Sequence, residues 1–333
     1  MNLIRAEISR LASRRFVQLM LVLLIGAFGV TVATTVAGSH QPTAVEIADA
    51  KNRAELDHAE ALRRRADCLA AQGPDVPEHV RAQYPRRCPE VDPRQFTPER
   101  YLFNVFVFER EIRGLLYFLA AFLALFGFLV GASYIGSDLN SGGMTNLLLW
   151  RPQRLTVLGT KLGTLLGGVL AVAVVASTLY LAAFWLVAQT TGFLGNLDAE
   201  FWQGLGLTWV RGLALALGAT AVGFAIATLG RHTAAALGAV AAYGIVWEIG
   251  ARIVMDVVDA PRPDQWMLST YLFAWLTGEL ELYDFNGCRF GSGLGFCTGS
   301  YTLTWIHALL VLGALGSALV VAAFASFHHR DIA

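Results

Sequence analysis

Three charged residues break an otherwise apolar stretch at regular intervals. Glu248, Arg252 and Asp256 stand four apart, so a helix carries them on one face. A carboxylate, a guanidinium and a carboxylate in that order can form an ion-pair ladder, and charged groups inside a membrane turn toward the bundle interior and pair with one another. At about 1.5 Å per residue from Ala234, Glu248 lies about 21 Å and Arg252 about 27 Å along the helix. That is its outer half, where Arg211 at the start of the preceding apolar run can join them. Two roles fit this ladder: lining or gating the outer end of a path, or fixing helix packing.

The other reactive groups are four cysteines, Cys68, Cys88, Cys288 and Cys297. Four cysteines allow three pairings, of which Cys68–Cys88 and Cys288–Cys297 are the simplest. Free thiols are the plainer alternative, and neither pair has the short spacing of a zinc knuckle. No Gly-x-x-x-x-Gly-Lys-Ser/Thr phosphate loop occurs, because Gly159-Thr160-Lys161 lacks both the earlier glycine and the strand. The chain is therefore expected to be no enzyme, with no metal and no cofactor of its own.

Membrane helices have to hold these groups. Of 333 residues, 55% are hydrophobic and 15% charged, against about 25% charged in soluble domains. The net charge is zero, which gives no reason to expect a nucleic-acid partner. A bilayer core needs about 20 apolar residues in helical form. Six runs satisfy this, at 16–37, 115–136, 162–188, 207–229, 234–258 and 303–326. The first is longer than the roughly 7–15 residues of a secretory signal and reads as a retained helix. Glycine pairs Gly127/Gly131 and Gly163/Gly167 have the spacing that lets helices approach closely.

Basic residues concentrate in alternate short segments: Arg5, Arg10, Arg14 and Arg15, then Arg151, Arg154 and Lys161, then Arg231, then Arg330. The positive-inside rule places these in the cytoplasm. Both termini are then cytoplasmic in a multi-pass plasma-membrane protein, and all four cysteines lie outside, where disulfides persist.

Between the spans, residues 1–15 read as an amphipathic helix on the inner surface, with arginines that can reach lipid phosphates. The long outer loop at 39–114 opens with a capping box, Thr43 and Glu46, and its first helix stops at Gly73 and Pro74. A second helix is expected from Thr97, with Pro98 at its first position, running through 101–108 into the membrane. The loop is either a small helical cap stapled by Cys68–Cys88 or a solvated hairpin over the exit. Trp247, Trp266, Trp275 and Trp305 suit membrane interfaces, and His307 reads as a packed or interfacial residue.

The segment 137–161 carries the most specific pattern. Gly131 and Gly136 precede Asp138, a turn at Gly143, and the run Asn146, Leu147, Leu148. Arg151, Pro152 and Arg154 follow, and Lys161 begins the next helix. Physically this is a short apolar helix parallel to the membrane, suited to a groove on a soluble partner. In these residues the chain resembles the ABC-2 family of bacterial export permeases, with Asp138 where glutamate is more usual. The resemblance covers most of the chain and implies an all-α, six-helix permease fold. It makes this loop the coupling helix on an ATPase, through Asp138, Gly143, Asn146, Leu147, Leu148, Arg151, Arg154 and Lys161. It further implies that 1–15 is a connecting helix and that 259–302 contains short helices re-entering the membrane. Two permease chains, identical or paralogous, and two ATPase subunits holding ATP and magnesium would complete the assembly. The outer loop at 39–114 is longer than in minimal members and draws no support from the resemblance.

Glu248-x-x-x-Arg252 and Phe324-x-x-x-His328 also mimic intramembrane CAAX-type proteases. Trp247 stands where a second glutamate belongs, and His328 falls at the opposite end of its span. The expected function is export of an amphipathic or lipid-like substrate. A membrane sensor or scaffold coupled to an ATPase without transport is the alternative.

Overall fold

The computed structural model describes residues 7, 9, 11, 13–74, 76–85, 87–144, 149, 153–283 and 300–329. In chain order the elements are α1 (Arg15–Ala37), α2 (Ala44–Ala71), α3 (Glu78–Arg81), α4 (Phe108–Asn140), α5 (Arg154–Thr190) and α6 (Ala199–Gly230). Then come α7 (Thr233–Ala242), a π-helical stretch at Tyr243–Ala251, α8 (Arg252–Val257), α9 (Leu268–Thr277), β1 (Glu279–Tyr283), β2 (Ser300–Thr304) and α10 (Trp305–His329). Six helices among the described residues are long and apolar enough to cross a membrane: α1, α4, α5, α6, the run Thr233–Val257 and α10. The protein is a largely helical, polytopic membrane protein.

The chain divides into two compact units. The first comprises Met1–Phe28, Arg113–Tyr180 and Ala199–Ala333. Its core gathers Phe126, Val130, Tyr134, Ile135, Leu158, Leu165 and Phe224 from α4, α5 and α6. Glycine lets α4 and α6 meet backbone to backbone. A Cβ on Gly127 would stand 2.8 Å from the carbonyl oxygen of Ala216, and one on Gly131 2.5 Å from that of Thr220. Gly163 and Gly167 on α5, by contrast, have nothing within 4 Å of a built Cβ.

In the same unit α6 packs on α10 and α9. After α9, Gly278 takes φ +93°, a left-handed conformation that costs glycine little. The chain then forms a two-stranded antiparallel sheet instead of a further re-entrant helix. Leu280 pairs with Leu303 and Leu282 with Tyr301, so the strict alternation Glu-Leu-Glu-Leu places one apolar face against Ala274 and Ala308. The sheet adds to an otherwise helical fold. Cys288 and Cys297 lie outside the described residues.

The second unit comprises Gly29–Ile112 and Leu181–Asp198. The capping box at α2 forms as the sequence predicts. Glu46 N–H donates to Thr43 Oγ1 at 3.3 Å, and Thr43 N–H donates to Glu46 Oε2 at 2.7 Å. That backbone donor, with His40 alongside, holds the Glu46 carboxyl down at about 2. Cys68 and Cys88 form a disulfide with their Cα atoms 5.8 Å apart.

The helix expected from Thr97 is corrected. Only a 3-10 turn at Pro98–Tyr101 forms, and α4 begins at Phe108. The residues between are tied to other parts of the unit. Phe106 N–H donates to Ser39 Oγ at 2.8 Å, and Val107 bridges Phe193 in parallel. Backbone groups committed to such partners cannot join a helical ladder.

Candidate functional site

The first unit gathers four charged side chains, two buried and two half-buried, where α4 ends and α5 begins. Asp138 occupies the last turns of α4, and Lys161 lies two turns into α5. Lys161 Nζ donates to Asp138 Oδ2 at 2.8 Å and to Glu7 Oε1 and Oε2 at 3.2 and 3.0 Å. The Lys161 and Glu7 side chains are only 2% and 1% exposed. Arg14 Nη2 donates to the other Asp138 oxygen at 2.6 Å, and its Nη1 reaches Ser137 Oγ and the Tyr134 carbonyl at 2.5 and 3.0 Å. Tyr134 supplies a phenol O–H to Glu7 Oε2, and its ring lies 4.7 Å from the Arg14 guanidinium.

Two carboxylates and two cations meet in this network. Burying charges is tolerable only when they are paired and hydrogen-bonded, and removing one partner leaves a costly orphan. The network therefore ties three chain segments together: the N-terminal stretch, the end of α4 and the start of α5. Leu11 strengthens the tie, because a Cβ on Gly168 would stand 2.7 Å from Leu11 Cδ2. Glu7, Leu11 and Ser13 are helical, as the sequence predicts for this stretch. Arg14, expected to reach lipid phosphates, turns instead to Asp138.

The loop residues divide into two kinds. Asp138 and Lys161 face inward, into the network. Gly143 is exposed, Met144 is buried in the core, and Leu149 is 78% exposed. Arg154 opens α5. Asn146, Leu147, Leu148 and Arg151 lie outside the described residues.

The charge ladder is arranged differently from its spacing. Among the described residues no ion pair joins Glu248, Arg252 and Asp256. Glu248 sits in the π-helical stretch, whose wider turn alters the direction of its side chain from that of an α-helix. It accepts from the Ser269 N–H at 2.9 Å, the Ser269 hydroxyl at 2.7 Å and the Tyr243 hydroxyl at 2.9 Å. The carboxylate thereby holds the start of α9, where helix N–H groups favour an anion. Arg252 pairs with Asp264 at 2.7 Å. Asp256 is exposed.

Arg211 does not join Glu248. Its guanidinium fills the space beside Gly278, with Nη1 2.5 Å from a built Cβ, and lies 5.9 Å from the Trp305 ring centre. Its carbonyl accepts from Trp275 Nε1 at 2.9 Å. His307 packs locally, sharing a 2.9 Å hydrogen bond with the Thr304 hydroxyl.

Sequence reasoning missed Glu7, Tyr134, Asp264 and Ser269. Glu7 alone carried a signal, as the one acid within a basic amphipathic stretch. Compared with protein-family models, curated proteins and solved structures, the chain matches none.

Proposed function

We infer that this chain is the membrane-spanning permease half of an ATP-driven exporter, working with a separate ATPase and moving an amphipathic or lipid-like substrate outward. The observation that carries this reading is the buried Glu7–Lys161–Asp138–Arg14 network. It clamps both ends of the 139–153 segment to the N-terminal stretch. A soluble partner pressing on that segment would move α4, α5 and the N-terminal stretch together, and exposed Leu149 offers an apolar contact. ATP and magnesium belong to the partner in this reading, and both termini face the cytoplasm by the positive-inside rule.

A second permease chain completes the pathway. The span Thr233–Val257 leaves Ile245, Val246, Ile249 and Ile253 exposed, a surface for lipid or for that chain.

Purifying the full-length chain with its associates from native membranes and reconstituting them into vesicles tests the reading. ATP-dependent uptake of a fluorescent amphiphile into inside-out vesicles is the expected result. ATP hydrolysis that no lipid or amphiphile stimulates, with no uptake, would replace it with a scaffold role.

A further inference from the structure

The second unit contains a cavity of about 520 Å³ beside the Cys68–Cys88 disulfide. That falls within the roughly 300–1,000 Å³ of small-molecule sites. Its walls combine three chemistries. Arg64 and Arg65 bring two guanidiniums, Asp67 and Glu90 two carboxylates, and Tyr84 and Phe96 two aromatic rings.

Arg65 gives the cavity its direction. Its Nε is buried and has no hydrogen-bond partner among the described residues. A buried donor left without an acceptor is costly, and each such group calls for an explanation. Arg64, its neighbour, lies 3.8 Å from Glu60, so Arg65 is the guanidinium still in need of an acceptor.

Arg65 also lines the cavity, where an oxyanion, carboxylate or phosphate, would pair with its guanidinium by a charge-assisted contact. A simple anion does not suit the rest of the wall, where Asp67 and Glu90 repel it. A cationic nitrogen suits those acids and also the faces of Tyr84 and Phe96. We propose that this cavity is a binding site for a small zwitterion, its oxyanion on Arg65 and its ammonium between the carboxylates and rings. The disulfide joins α2 to the 84–96 segment, so the two walls stay in register. This site does not depend on the export reading.

Phosphocholine is the probe, titrated by calorimetry into the full-length chain in maltoside micelles, which lack that headgroup. Saturable binding is expected, weakened at least tenfold by Arg65→Gln and by Phe96→Leu. Arg63→Gln, exposed on the same helix and outside the cavity, should leave it unchanged. An intact Cys68–Cys88 bond by non-reducing mass analysis shows that each variant is folded. Inorganic phosphate and choline, offered separately, should each compete at least tenfold more weakly. No saturable binding, equal loss with Arg63→Gln, or phosphate binding as tightly as phosphocholine would overturn the proposal.

Nanodiscs then identify the source. Phosphocholine binding suppressed in phosphatidylcholine discs but not in phosphatidylglycerol discs assigns the site to a lipid headgroup. Equal binding in both assigns it to a free solute.

Discussion

Lys161 and Glu7, 154 positions apart in sequence, meet as an ion pair of 3.0 Å with both side chains almost wholly buried. Asp138 and Arg14 extend the pair into a network of charges, so the N-terminal stretch is held by the helices it precedes. The stability of this set depends on keeping its members matched.

Removing one member should show this. Lys161→Met removes the buried cation that Glu7 contacts at 3.0 Å, and a loss of about 3–5 kcal/mol is expected. Glu7→Gln should cost less, because the amide still accepts from Tyr134. The double variant should recover much of the Lys161→Met loss, since Asp138 keeps Arg14. Thermal unfolding in detergent, read as a double-mutant cycle, checks the non-additivity.

The glycine pairs should respond oppositely to alanine. Gly131→Ala forces a Cβ against the Thr220 carbonyl and should destabilise the chain by about 1–3 kcal/mol. Gly163→Ala and Gly167→Ala meet nothing within 4 Å and should not lower the melting temperature.

Acid should loosen the start of α2. The Glu46 carboxyl is depressed from 4.5 to about 2 in the folded chain. A lowered folded pKa contributes stability that is present in full above 4.5 and lost as pH falls through about 2. Hydrogen exchange of the amides at 43–50 should therefore quicken from pH 4.5 down to 2, after correction for intrinsic rates. Glu46→Ala should be fast throughout and lack this extra dependence.

Glu248 should act as a clamp on α9. Glu248→Ala removes three accepted hydrogen bonds, each about 1.5–3 kcal/mol when one partner is charged. Hydrogen exchange across 263–272 should rise by at least tenfold. Asp256→Asn, which touches none of these groups, should leave it unaltered. If the clamp also gates a path, transport changes in Glu248→Gln while folding does not.

The parts legible in the sequence were those whose signal is local. Twenty-residue apolar runs declare a membrane helix by length alone, and Thr43 with Glu46 lies within one helical turn, so spans and cap could both be read. The Cys68–Cys88 pair was the simplest of three options, and the structure contains it. The inner network was only half legible. Asp138 and Lys161 stood out by charge beside an apolar run, but Glu7, the second carboxylate on Lys161, is brought there by tertiary folding.

The outer segment was legible in part. Short helices were expected within 259–302 and one forms at Leu268–Thr277, while the period-two alternation of Glu279–Tyr283 and Ser300–Thr304, the signal of the two strands, went unread. The π-helical stretch has no sequence signature, so i, i+4 spacing suggested an internal ladder while Glu248 and Arg252 found partners off the helix. At 102–107, turn chemistry at Pro98 suggested a helix start. Bonds from its backbone to Ser39 and Phe193 instead keep the stretch out of a helix.

The most direct test places a photo-crosslinking amino acid at position 149, as Leu149→benzoylphenylalanine, in the full-length chain in its native membrane. Ultraviolet light should join it to a nucleotide-hydrolysing subunit, with the yield changing when ATP is trapped on that subunit. Adducts to lipid alone, or labelling of position 149 by an impermeant reagent added outside intact cells, would contradict the proposed coupling.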